Sequence, residues 1–129
     1  MHIVITRPKE DSLYLIENLI NLGHTVTHLP VIKIERVETK KINLQNYQAI
    51  IFTSSNAIRF MNIEKFNSKI KCFCVGSATE FIAKQIGFLN TYTSEGTVDS
   101  LIELIIRTLN NKSEKLLYLS SEFISKDVV

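Results

Sequence analysis

The chain has 129 residues, 45% hydrophobic and 22% charged, which is typical of one folded domain and excludes a disordered tail. Its net charge of +2 provides no dense basic surface for a phosphate backbone, so nucleic acid is not an expected partner. No apolar run approaches the roughly 20 residues that a membrane-spanning helix needs, and the amino terminus lacks a secretion-signal pattern. We therefore expect a cytoplasmic protein without membrane attachment.

The first part of the chain alternates between strand and helix patterns. Residues 2–6 form an apolar, β-branched run that indicates a buried parallel strand. Apolar residues at three- and four-residue spacing predict a helix over residues 9–22, which Gly23 ends. A second strand is predicted over residues 25–30, and it continues into an extended, half-exposed connector strand at residues 31–37.

A polar segment at residues 38–46 suggests a boundary, and the alternation of strand and helix restarts after it. Strands are predicted at residues 48–53, Lys71–Val75, 90–93 and 115–119, and helices at residues 54–61, 77–86 and 98–109. This alternation predicts a doubly wound α/β sheet with right-handed crossovers. Only ten residues follow the last predicted strand, so the last strand–helix unit is expected to be partial.

Several chemistries are disfavoured by residue spacing. The four glycines lie at least nine positions apart, which excludes both the dinucleotide fingerprint and the Walker phosphate loop. His24 and His28 are predicted in a strand, where four residues separate them by roughly 13 Å, so a metal site is not expected. Cys72 and Cys74 share one strand face in a geometry poorly suited to a disulfide, and we expect buried free thiols.

Polar residues follow the predicted parallel strands at their carboxyl ends, which is where open α/β sheets bind ligands. Most carry hydroxyl or amide groups near helix starts; they are Thr6, Arg7, Thr53, Ser54, Ser55, Asn56, Gly76, Ser77, Thr79, Ser120 and Ser121. Such donors suit carboxylates or phosphates. They include no evident acid–base pair, and the aspartates of a response-regulator receiver are absent from the corresponding positions, which disfavours a receiver-like regulatory module.

Seven segments together resemble one known family, the uroporphyrinogen-III synthases. They are IVITRPKEDS (3–12), LGHTV (22–26), LPVIKIE (29–35), IIFTSSNAIRF (50–60), CVGSATEFIAKQIGF (74–88), SEGTVDSLIELI (94–105) and LLYLSSE (116–122). Each segment alone is a weak pattern. Their order and spacing along the chain make the resemblance specific.

The resemblance implies an enzyme of tetrapyrrole biosynthesis, which cyclises linear hydroxymethylbilane with inversion of the terminal pyrrole ring and loss of water, without metal or organic cofactor. It also implies two flavodoxin-like α/β lobes, each a parallel sheet with flanking helices, with the substrate in the cleft between them. On this plan residues 1–37 form the first part of lobe 1 with the connector strand. Residues 38–129 form lobe 2 without its last helix and strand, and the first lobe is incomplete.

The resemblance assigns substrate binding to residues of two loops and assigns no certain catalytic residue. The binding residues are Thr53, Ser54, Asn56, Gly76, Ser77, Ala78 and Thr79. Thr79 is the preferred hydroxyl for a propionate, Arg7 is expected at the lobe interface or in a supporting role, and no residue is expected to bind metal. For the binding residues the alternative role is helix N-capping.

Two departures from the family pattern bear on activity. Ser120 and Ser121 stand where the family usually has an arginine and a glycine. The family is also roughly twice this long, and its tyrosine near the return connector, the best candidate for a catalytic acid, has no counterpart here. We therefore expect an incomplete form that is inactive alone, which either forms a homodimer or pairs with a complementing C-terminal polypeptide. The alternative is a noncatalytic α/β binding or structural protein derived from that family.

Overall fold

The computed structural model describes residues 1–110, 113 and 115–120. The chain divides into two compact units, of which the first is Met1–Arg36 and the second begins at Val37. This division lies one residue from the boundary suggested between residues 37 and 38. The assignment of the units to the two lobes of the family stays a prediction.

The first unit contains two strands and one helix. They are β1 (His2–Ile5), α1 (Leu13–Asn21) and β2 (Thr25–His28), and β1 pairs with β2 in parallel. The helix begins later than predicted because Lys9–Asp11 forms a 3₁₀ turn, after which the buried Ser12 donates its hydroxyl to the Pro8 carbonyl at 2.9 Å. Gly23, at φ +85°, follows the end of the helix as expected.

The connector segment differs from the prediction. The structure contains no strand at residues 31–37, and every residue of this segment is exposed rather than half-exposed. Val31 donates its amide to the Thr6 carbonyl at 3.1 Å, but no strand of the described residues continues this pairing. Alternating apolar and charged residues favour an extended backbone, whereas a strand also requires a partner for its backbone hydrogen bonds. This corrects the predicted connector strand.

The second unit alternates strands and helices from its beginning. Its elements are β3 (Ile42–Asn43), β4 (Ala49–Phe52), α2 (Ser55–Phe60), β5 (Ile63–Lys65), β6 (Lys71–Val75), α3 (Gly76–Gln85), β7 (Asn90–Ser94), α4 (Val98–Thr108) and β8 (Leu116–Leu119). The four predicted strands correspond to β4, β6, β7 and β8. The sequence analysis missed β3 and β5, which pair in parallel as a separate two-stranded sheet.

The main sheet is parallel throughout and has the strand order β7-β6-β4-β8. On one face, Ile50, Phe52, Cys72 and Cys74 pack beneath α2 and α3, while on the other face Ala49, Ile51 and Phe73 pack beneath Leu101 of α4. The chain therefore winds from β4 to β7 on one face and returns over the other face to β8. This confirms the predicted α/β class, with parallel sheets and flanking helices in a flavodoxin-like arrangement.

None of the helices in the described ranges combines the length and the apolar composition that crossing a bilayer demands.

The two faces of α4 provide a matched test of core packing. Leu101 is fully buried against the sheet, whereas Ile106 in the same helix is 68% exposed. We expect Leu101→Ala to lower the free energy of unfolding by about 2–5 kcal/mol, because it removes buried methyl groups and leaves a cavity. We expect Ile106→Ala to change it by less than about 0.5 kcal/mol. Urea unfolding followed by circular dichroism measures both, and equal losses would contradict the assigned core.

Candidate functional site

The candidate site lies at the carboxyl edge of the four-stranded sheet. Thr53 follows β4, Gly76 follows β6 and Ser120 follows β8, so the parallel strands bring these three residues to the same edge. The chain leaves β4 toward β6 on one side and later returns to β8 on the other. The point between β4 and β8 is therefore the topological switch point, where open α/β sheets form a ligand crevice.

The loop after β4 is fixed by its own side chains. Ser54 is exposed, and its hydroxyl oxygen accepts a hydrogen bond from the Asn56 amide at 3.2 Å, which confirms the predicted capping of α2. Arg59 donates from Nη1 to Asn56 Oδ1 at 2.9 Å and to Ser55 Oγ at 3.3 Å. A guanidinium group thus lies beside the first turn of α2. Sequence analysis missed Arg59, although its spacing of three and four residues from two polar side chains was a usable signal.

The half-buried Thr53 contacts a strand that is remote in sequence. Its hydroxyl oxygen lies 3.4 Å from the hydroxyl oxygen of Tyr118 in β8. Since 65 positions separate the two residues, no local pattern could have indicated this contact.

The loop after β6 turns directly into α3. Gly76 has φ +75°, a conformation that L side chains rarely adopt, and a Cβ at this position would lie 3.9 Å from the Gly96 Cα. The N-cap residue of α3 is Val75, whose apolar side chain cannot accept a hydrogen bond from the first-turn amides. Because α3 begins directly after β6, these amides face the carboxyl edge of the sheet without a side-chain cap, as at an anion-binding helix start.

The three residues that follow Gly76 differ in accessibility. Ser77 and Ala78 are exposed, whereas Thr79 is only 6% exposed and points toward the interior of the unit. The Thr79 hydroxyl, which the sequence analysis preferred for a propionate, is thus less accessible than that of Ser77. Arg7 belongs to the first unit, where its carbonyl accepts a hydrogen bond from His28 Nε2 at 2.9 Å. Ser121 lies outside the described residues.

Glu80, in α3, is already engaged within the second unit. Glu80 accepts hydrogen bonds from Lys84 at 2.8 Å and from Thr91 at 2.9 Å, and these hold the pKa of its carboxyl below the usual range. Glu80 therefore remains a carboxylate at neutral pH and is a poor proton donor.

The two cysteines are free and buried, as predicted, with their sulfur atoms 3.8 Å apart. The side-chain hydrogen bond between Cys72 and Cys74, together with burial, raises the pKa of the Cys72 thiol above its usual range. Because reactivity requires the thiolate, this thiol is not a nucleophile at neutral pH. The described residues contain no group of three or more His, Cys, Asp or Glu side chains that could hold a metal ion.

The geometry therefore suits binding of a carboxylate-bearing ligand through hydroxyl, amide and guanidinium donors. Comparison with known proteins agrees with the sequence resemblance: the family model described as uroporphyrinogen-III synthase HemD matches residues 14–129. The chain belongs to the uroporphyrinogen-III synthase family.

One curated relative is named for porphyrin biosynthesis. The porphyrin biosynthesis protein HemD of Ruminiclostridium josui is 28% identical over 141 aligned positions, which cover 98% of this chain and 28% of the relative. The chain thus spans little more than a quarter of that protein. Membership of the uroporphyrinogen-III synthase family confirms the resemblance found from the seven segments and places the chain in a family of porphyrin biosynthesis.

Proposed function

We propose that this chain binds the linear tetrapyrrole hydroxymethylbilane and represents an incomplete, cytoplasmic form of uroporphyrinogen-III synthase that is inactive alone. The complete reaction cyclises hydroxymethylbilane, inverts the terminal pyrrole ring and releases water, within haem biosynthesis. The proposal rests on the carboxyl edge of the main sheet, where the loops after β4 and β6 both carry hydrogen-bond donors. It rests also on the membership of the chain in this family.

The donor set matches the chemistry of the proposed substrate. Hydroxymethylbilane carries eight carboxylates, and the uncapped start of α3 offers backbone amides to such groups, with the exposed Ser77 hydroxyl beside them. Ser54, whose hydroxyl oxygen caps α2, retains its proton for donation. Arg59 adds a positive charge next to Asn56. Binding through many such donors requires no strongly basic protein, in keeping with a net charge of +2.

In the proposed reaction, catalysis depends on positioning the two ends of the bilane. Among the described residues, Glu80 near the edge is held as a carboxylate and Cys72, buried within β6, as a thiol, so neither is poised as an acid or base. Ring closure at the substituted position of the terminal pyrrole instead requires that the flexible bilane be folded so that its two ends meet. A surface that binds the carboxylates at fixed points would favour this closure over closure without inversion of the terminal ring.

The first unit supports the proposal that the chain is incomplete. It has two strands and one helix, and its buried residues are Ile5 and Ser12. A two-stranded unit with so little buried surface is not expected to be stable alone. We propose that it associates with a second copy of this chain or with a complementing C-terminal polypeptide.

Binding of uroporphyrin, a stable octacarboxylate, tests the proposed edge. Ser77→Glu places a negative charge in the exposed first turn of α3, where it stabilises the helix but repels carboxylates. Gln85→Glu makes the same charge change at the other end of that helix. By fluorescence titration we expect saturable but weak binding by the natural chain, about tenfold weaker binding by Ser77→Glu, and little change for Gln85→Glu. No saturable binding, or equal effects of the two variants, would overturn the proposed site.

Turnover of the 129-residue chain tests the proposed inactivity. Supplied with porphobilinogen and a deaminase, the chain should give no more type III product than the spontaneous background, because control of the bilane needs both ends of the substrate to be held. Separation of the type I and type III isomers by chromatography measures this. Enrichment of type III would show that the chain is an active synthase as it stands.

Light scattering at several protein concentrations tests the proposed homodimer. We expect a mass that rises toward twice 14.8 kDa with concentration. Val4 is 55% exposed on β1, and Val4→Lys should weaken the association, whereas Ile106→Lys, at an exposed site of the second unit, should leave it unchanged. A constant mass of 14.8 kDa for the natural chain would exclude the dimer.

A further inference from the structure

The contact between Tyr118 and Thr53 is set by the register of the main sheet. Tyr118 in β8 lies opposite Ile51 in β4, and the ladder continues for one more pair, which includes Leu119. Thr53 follows Ile51 by two positions and therefore has its side chain on the same face. The Tyr118 hydroxyl extends toward the carboxyl edge and lies 3.4 Å from the Thr53 hydroxyl.

The two hydroxyls lie at the switch point of the sheet. The helix after β4 packs on one face, and α4, which precedes β8, packs on the other. In open α/β sheets this switch point is where ligands bind. Both Thr53 and Tyr118 are half-buried there, and their hydroxyl oxygens contact each other.

Tyr118 is well suited to hold its hydroxyl in one place. Its ring packs against the buried cluster of Ala49, Ile51, Phe73 and Leu101. A tyrosine side chain has only two rotatable angles between backbone and ring, so this packing also fixes the direction of the hydroxyl at low entropic cost. The hydroxyl is therefore placed before any ligand arrives.

The mutual hydrogen bond leaves these groups able to bind a ligand. A separation of 3.4 Å exceeds the usual 2.5–3.0 Å of an O–H···O hydrogen bond, so the contact between the two hydroxyls is weak. Each hydroxyl can donate one proton, and only one of the two protons can lie between them. A carboxylate can accept both protons in stronger, charge-assisted bonds.

We infer that Tyr118 and Thr53 together bind one carboxylate of the tetrapyrrole at the switch point, with Tyr118 as a ligand-binding residue that the family resemblance did not supply. The inference rests on the proposed function and names a further contact within the same site. Two neutral donors side by side match a carboxylate, which has two acceptor oxygens and a single negative charge.

Uroporphyrin titration of matched variants of the full 129-residue chain tests the inference. Tyr118→Phe removes the hydroxyl and keeps the ring, and Thr53→Val removes the other hydroxyl with little change in shape. Tyr92→Phe is the control, because Tyr92 packs against the same cluster with its ring stacked on Phe73 at 5.2 Å. We expect each site variant to bind about tenfold more weakly, with the double variant weakened by much less than a hundredfold. Tyr92→Phe should bind like the natural chain.

Two further measurements separate a binding role from a structural one. Melting temperatures should agree between Tyr118→Phe and Tyr92→Phe, and the ring resonance of ¹³C-labelled Tyr118 should shift on addition of uroporphyrin while that of Tyr92 should not. If the natural chain binds uroporphyrin and Tyr118→Phe binds it equally well, the inference is wrong and the proposed function stands. If the natural chain shows no saturable binding, the proposed function fails and the inference fails with it.

Discussion

The second unit depends on the double pairing of its central strand. β4 forms parallel ladders with β6 on one side and β8 on the other, and all four of its residues are buried. Because both edges and both faces of β4 are covered, helices must pack above and below it, and the chain must cross the sheet in both directions. The switch point beside β4 follows from this constraint, and so does the convergence of the candidate ligand donors at one edge.

The parts of the fold that could be predicted from sequence are those in which local pattern and tertiary environment agree. β4 is a continuous apolar run, and so is β6 after Lys71, as strands buried on both faces require, and the predicted boundaries lie close to the observed ones. The missed pair of β3 and β5 has only two or three residues in each strand, which is too short for any periodicity to be detected. Residues 31–37 alternate between apolar and charged side chains, as a strand does. The alternation indicates which side chains could be buried, but it does not indicate whether a partner strand lies beside them.

In the candidate site, too, local contacts could be predicted from sequence and long-range contacts could not. Capping by Ser54 could be predicted because the side chain and the amide it binds are two positions apart. The proximity of Tyr118 to Thr53 could not, because it requires knowledge that β8 returns beside β4 in one particular register. The burial of Thr79 was likewise invisible in sequence, since an α-helix that begins at an exposed edge can direct one residue of its first turn inward. Residue type thus predicted the edge as a candidate site, whereas strand register and helix orientation decide which hydroxyls of that edge are exposed.

The choice of donors has a consequence for a ligand with many negative charges. A cluster of lysines would attract such a ligand strongly, but point charges on flexible side chains discriminate poorly between the ways in which a linear tetrapyrrole can fold. Hydroxyls whose positions are fixed by packing, such as Tyr118, and amides fixed by the start of α3, impose direction as well as attraction. For a reaction in which the substrate must close in one of two ways, the fixed directions of these donors matter more than the total strength of binding. Under the proposed function, a nearly neutral protein is therefore compatible with an octacarboxylate substrate, because selectivity for one folded shape of the substrate would come from the rigid edge of the sheet and not from net charge.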